Sequence, residues 1–288
     1  MKKTFLISLL SLLTVPVIAQ DSNNETLDNA FSYESFTLGT TTLPYRRADI
    51  NPTKETKPAL VLYLHGGTSR GNDNETQLKE KAVGVIYQYL TSHDMAAIFL
   101  VPQCPSGGGW TNQLRKVVNG LLSSYVQADS VDANRIYVLG GSMGGTGTWC
   151  QLSYFPDFYA AALPVAGNPT GMSAANVATT PVLTVMGTAD KIMSIQDVSN
   201  FQTEVVAAGG TLRIDVEDGW THENTCEQSY TDTRLEWLFA QVRKDDSGIN
   251  DVQNPYRNTD GVFFDFQGRR VEYPVHGVYI RNGKKRIN

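Results

Sequence analysis

"RIYVLGGSMGGTGTW" (135–149) sets a serine between two pairs of glycines, directly after an apolar run. Residues 136–139 are apolar without alternation, which suits a strand buried on both faces. A helix is expected over 143–154, so Ser142 stands on a strand-to-helix turn with Gly140 and Gly144 in a G-x-S-x-G pattern. Such an elbow strains the backbone of the serine, and side chains two residues to either side would collide across it. Glycine at 140 and 144 removes both collisions. The helix beginning at Met143 also directs its amide N–H groups to the place where an oxyanion would form. Glycine-rich strand-to-helix turns bind phosphates too, so the pentapeptide alone leaves both readings open. No Lys-Ser/Thr pair closes the loop as a P-loop requires, and no G-x-G-x-x-G with a well-placed acid follows.

Outward from this turn, apolar runs alternate with helical spacing. Strands are expected at 59–67, 96–102, 135–140, 160–167, 181–187 and 211–217, and helices at 75–91, 112–127, 143–154, 195–208 and about 226–243. An alternating hairpin over 34–50 precedes them. Strands alternating with helices imply an α/β fold with a mostly parallel central sheet flanked by helices. No segment between strands is long enough for a large lid. After Lys244-Asp245-Asp246-Ser247-Gly248 the composition turns polar. Short alternating strands then follow, separated by the turn dipeptides Gln267-Gly268 and Asn282-Gly283. The division expected is a catalytic domain over 20–245 and a linker with a small β module of two or three strands over 246–288. Such a module buries little surface alone, so it should pack on the main domain or be mobile.

Lys2 and Lys3, an apolar stretch from Phe5 to Ile18, and Ala19-Gln20 have the layout of a signal peptide over 1–19. The expected location is therefore outside the cytoplasm: secreted, periplasmic or at the cell surface, with no membrane insertion once the leader is removed. The net charge of −5 over 288 residues is mild and unclustered, giving no surface for nucleic acid. Three cysteines, Cys104, Cys150 and Cys226, are too few for a disulfide scaffold.

A serine hydroxyl needs a base at neutral pH. Of the four histidines, His65 in "YLHGGTS" ends a strand and suits an ordering role in its loop. His93 lies among polar residues at a helix end, and His276 lies in the terminal module. His222, in "EDGWTHENT", follows the last strand of the main sheet and is placed as the base. The orienting acid should lie between serine and base, and Asp190 in "PVLTVMGTADKIM" stands three residues past a strand. Asp157, Asp197, Asp215 and Asp218 are placed less well. Ser142, Asp190 and His222 thus fall at the carboxyl ends of expected strands, where open α/β sheets build their sites. Their chain order is the one used by hydrolases of this topology.

The motifs "LYLHGG" (62–67), "LVPQCPSGGGW" (100–110), "RIYVLGGSMGGTGTW", "GTADKIM" (187–193) and "GWTHENT" (219–225) together resemble the α/β-hydrolases. The likeness is to their carboxylesterase, feruloyl-esterase and "predicted peptidase" group. The resemblance covers roughly residues 55–240. It implies a serine esterase with Ser142 as nucleophile, Asp190 as orienting acid and His222 as base. It implies an oxyanion hole from the amides of Gly67 and Met143, and no metal or cofactor. The implied substrate is an ester-decorated oligo- or polysaccharide such as feruloylated or acetylated xylan, with a peptidase or a general short-acyl esterase as alternatives. Gln103 and Trp110, on a loop at the active-site edge, are expected to wall the substrate pocket, although a tryptophan there also suits the core. Cys104 and Cys226, both on loops at that edge, are candidates for a disulfide. The terminal "DFQGRRVEYPVHGVYIRNGKK" resembles the β tail of many secreted Bacteroidetes proteins, where it is associated with export or surface sorting.

Overall fold

The computed structural model describes residues 27–243, together with the backbone of four short strands between 263 and 287. The expected signal peptide, the linker and His276 lie outside the described residues. An eight-stranded sheet runs through the main unit, formed by β1 (Ser32–Leu38), β2 (Thr41–Ile50), β3 (Ala59–Leu64), β4 (Ala97–Pro102), β5 (Ile136–Gly141), β6 (Ala161–Val165), β7 (Val182–Gly187) and β8 (Leu212–Glu217). Their spatial order is β1-β2-β4-β3-β5-β6-β7-β8. The first two strands form an antiparallel hairpin that also pairs antiparallel with β4. From β4 to β8 every pairing is parallel.

Both faces of this sheet are covered, which is why its central strands lack polar alternation. On β3, Val61 and Tyr63 face one core cluster with β5 residues Tyr137 and Leu139. Leu60, Leu62 and Leu64 face a second cluster with Ile136 and Val138. The first cluster is closed by α1 (Lys81–Ser92), α6 (His222–Gln228) and α7 (Asp232–Ala240). The second is closed by α2 (Leu114–Gln127), α3 (Met143–Tyr154) and α5 (Ile195–Ala207). A short α4 (Ala174–Val177), not anticipated from the sequence, precedes β7. Each fully buried leucine on β3 stabilises the fold by about 2 kcal/mol relative to exposure. At the edge, β8 alternates Arg213, Asp215 and Glu217, and Arg234 of α7 pairs with both acids. Charge of this kind keeps an open strand from recruiting another chain.

Two helices differ from expectation, each because a tertiary contact overrides local propensity. The 75–91 segment is a 3-10 turn (Thr76–Lys79) followed by α1. The break falls at Glu80, whose backbone is extended (φ −67°, ψ 127°). The 226–243 helix is instead the pair α6 and α7. Between them Tyr230 turns into the core, its ring meeting Tyr63 edge-on at 5.8 Å between centroids.

The chain divides into two compact units, residues 1–244 and 245–288. The second is a four-stranded antiparallel sheet, β9 (Phe263–Phe264), β10 (Arg270–Val271), β11 (Val278–Arg281) and β12 (Lys284–Ile287), in the order β10-β9-β11-β12. Among the described residues this unit has four strands, where two or three were expected. Among the described residues no helix is long and apolar enough to cross a membrane.

Candidate active site

After β3 the chain crosses to β4 on one side, and β5 then returns to the other side of β3. The order reverses there, so the loops leaving the carboxyl ends of β3 and β5 part and leave a crevice. Ser142 follows β5 and Gly66-Gly67 follow β3. The elbow is strained: Ser142 has φ 57° and ψ −116°, outside the ordinary regions for a residue with a Cβ. Glycine beside it is a steric necessity. A Cβ at Gly144 would lie 1.7 Å from the Leu64 carbonyl oxygen, and one at Gly140 would lie 2.5 Å from that of Gly144. Gly145 is equally constrained, since its Cβ would stand 2.3 Å from the Val165 carbonyl.

The structure brings Ser142, His222 and Asp190 into one hydrogen-bonded line. His222 Nε2 is 2.8 Å from Ser142 Oγ, and His222 Nδ1 is 2.8 Å from Asp190 Oδ2. With the aspartate as acceptor, Nδ1 carries the proton and Nε2 is free to take one from the serine. The Asp190 carboxylate is fully buried, and its Oδ1 accepts from the backbone N–H of Ile192 (2.8 Å) and Met193 (2.9 Å). His222 opens α6, held by a capping box. Thr221 Oγ1 accepts from the Asn224 amide, while Asn224 Oδ1 accepts from the Thr221 amide.

The relay opens into a cleft of about 630 Å³ whose walls include Gly67, Ser69, Glu80, Ile192, Cys226 and Glu227. Of the two expected oxyanion donors, Gly67 begins the 3-10 turn after β3 and lines this cleft with Ser142, and Met143 follows the serine as the first residue of α3. The two expected pocket-wall residues are elsewhere. Gln103 is fully buried and bridges a loop, accepting from the Asn74 amide at 2.7 Å and donating to Asp73 at 2.6 Å. Trp110 is also buried and donates from Nε1 to the His65 carbonyl at 2.9 Å. Neither lines the cleft, because each side chain's polar atoms are consumed inside the protein. His65 stands in the loop-ordering place expected of it. Its Nε2 accepts from the Cys104 amide (2.9 Å), so Nδ1 donates to the Gly66 carbonyl (2.6 Å). Burial pushes its pKa down to about 4. Exposed His93 stacks on Tyr89.

The disulfide also needs correction, for all three cysteines are free. Cys104 is buried in the cluster on the α3 face, whereas Cys226 packs against the cluster on the α1 face. The sheet lies between them. Cys226 instead enters the cleft, its Sγ 3.9 Å from His222 Nε2. Burial and the carboxylates of Glu80 and Asp190 push this thiol up to about 12, so it stays protonated beside the serine.

Sequence reasoning missed Glu80 and Ile192, and it read Cys226 only as a disulfide partner. Ile192 is 68% exposed yet tied by its amide to Asp190. Nothing in the local pattern marks Glu80, because its partners come from the β3 loop. Among the described residues, no group of three or more His, Cys, Asp or Glu side chains is arranged to hold a metal.

The mostly parallel sheet flanked by helices is an α/β fold of the kind found in α/β-hydrolases. A family model described as "Dienelactone hydrolase family" matches residues 107–240, the span that holds Ser142, Asp190 and His222. A thermostable esterase of solved structure is 26% identical, with a TM-score of 0.68, over 76% of this chain. This chain spans 64% of that esterase's length. The feruloyl esterase module from Clostridium thermocellum is 16% identical (TM-score 0.59), covering 78% of this chain and 94% of that one. An acylaminoacyl peptidase from Pyrococcus horikoshii is 14% identical (TM-score 0.56), covering 80% and 45%. At such identities the last two likenesses speak to the fold alone. No protein of curated function matches the chain in sequence.

Proposed function

We propose that this chain is an exported serine carboxylic-ester hydrolase that removes feruloyl or acetyl groups from plant cell-wall polysaccharide. The observation that carries the reading is the Ser142–His222–Asp190 line, with 2.8 Å at each link. In the proposed reaction Ser142 Oγ attacks the ester carbonyl carbon while His222 Nε2 takes its proton. The carbonyl oxygen becomes an oxyanion between the Gly67 and Met143 amides, and each such donor lowers the barrier by about 3 kcal/mol. The imidazolium then protonates the leaving alcohol, which departs to give an acyl-serine. Water, deprotonated by the same nitrogen, attacks that acyl group and releases the acid. Asp190 holds Nδ1–H in place and stabilises the imidazolium.

The polysaccharide part of the reading is supported by the cleft of about 630 Å³ and by Thr68 in its wall, with Ile192 there as an apolar contact. The leader expected over 1–19 and the resemblance of the terminal segment to an export tail suit export.

The experiment is a substrate panel: acyl-nitrophenol esters, feruloylated and acetylated xylo-oligosaccharides, and peptide anilides. The expected outcome is release of ferulate or acetate from the oligosaccharides, with anilides untouched. Ser142→Ala is expected to lower kcat by at least about 10⁴-fold at an unchanged Tm. Good turnover of simple esters with none of the oligosaccharides would remove the polysaccharide reading. Preferential cleavage of anilides would make the chain a peptidase.

A further inference from the structure

Glu80 breaks a helix to reach the cleft wall. Its Oε1 accepts from the Gly66 amide at 2.8 Å and from Ser69 Oγ at 2.7 Å. Its Oε2 accepts from Tyr63 Oη at 2.7 Å. These three donors come from the end of β3 and from both sides of Gly67. The carboxylate therefore spans the turn that carries the expected oxyanion amide, in a place where solvent is largely shielded. Gly66 has no side chain to obstruct it, since a Cβ there would stand 3.3 Å from Oε1 and 3.8 Å from Ser142 Cβ. We propose that Glu80 is a positioning residue, its carboxylate bracketing the Gly66–Ser69 turn so that the Gly67 amide stays aimed at the oxyanion formed on the Ser142 adduct. The inference rests on the esterase reading above.

Only a two-oxygen acceptor satisfies the three donors at once. Burial raises the carboxyl pKa, while the bonds from Ser69, Tyr63 and Gly66 each pull it down. The net shift stays upward, so these bonds offset the cost of burying the carboxylate only in part. A second effect has the opposite sign. An anion this near Ser142 repels a developing oxyanion, so if repulsion won, neutralising Glu80 would speed the reaction. If positioning wins, neutralising it slows the reaction.

Glu80→Gln retains an oxygen for Gly66 and Ser69 but turns an NH2 group toward Tyr63. Glu80→Ala strands all three donors. Active sites are first counted by complete labelling of Ser142 with a fluorophosphonate, read by mass spectrometry, and nitrophenyl acetate turnover is then measured per labelled site. The expected result is kcat per site about ten-fold lower in Glu80→Gln and about a hundred-fold lower in Glu80→Ala, with KM within about two-fold of wild type. Unchanged or faster turnover per site in Glu80→Gln would overturn the proposal. So would a loss that appears only as fewer labelled sites and a lower Tm, which is the signature of a purely structural residue. Wild-type protein that neither takes the label nor releases nitrophenol would remove the esterase reading itself, and this inference with it. An active wild type with unaffected variants removes this inference alone.

Discussion

His65 illustrates how one residue's environment can set a property of the whole protein. It is fully buried, accepts from the Cys104 amide and donates to the Gly66 carbonyl, so the fold holds it neutral. Burial lowers its pKa from 6.5 to about 4. A depressed folded pKa means that the unfolded chain binds the proton first as acid is added. The stabilisation is complete above pH 6.5 and is lost as pH falls through 4. The loss is expected to approach about 3 kcal/mol, measured as the urea midpoint against pH. His65→Gln, which offers Cys104 an oxygen without titrating, is expected to flatten this slope. A slope unchanged by the substitution would assign the acid sensitivity to other groups. The same residue scale contains Ser142, whose φ of 57° places strain at the serine that meets the base.

At the scale of elements, the short helix α6 matters because His222 is its first residue. Seven residues make a marginal helix by propensity alone, so the Thr221–Asn224 capping box and the packing of Thr225 carry much of its stability. Thr221→Ala is expected to cost about 1 kcal/mol, which lowers Tm by about 2–4 °C for a domain of this size. Because the cap adjoins the base, kcat is expected to fall several-fold as well. A lower Tm with undiminished kcat would mean that Asp190 alone orients His222. The helix break at Glu80 and the break before α7 belong to this scale too. In both, the residue leaving the helix makes contacts with β3 or the loop after it: Glu80 with Tyr63, Gly66 and Ser69, and Tyr230 with Tyr63.

For the whole molecule, the sheet partitions the interior into two cores, and the cysteines follow that partition. Cys104 and Cys226 are near the same strand ends in the chain's topology, yet they face opposite sides. Three thiols are therefore expected to react with Ellman's reagent in denaturant without reductant, and a count of one would require a bridge. The partition also marks where reading from sequence stops. The alternation of apolar strands and helices, the elbow glycines around Ser142 and the order Ser142, Asp190, His222 were legible because each is written in local spacing: period, turn chemistry and position at a strand end. That these three side chains meet at 2.8 Å contacts was decided only by the folded sheet. So were the withdrawal of Gln103 and Trp110 into the interior, the separation of Cys104 from Cys226, and the arrival of Glu80 beneath the β3 loop. Each depends on which face of the sheet a loop side chain turns toward. Partners distant in the chain set that choice by offering hydrogen bonds and buried surface, and no local pattern encodes it.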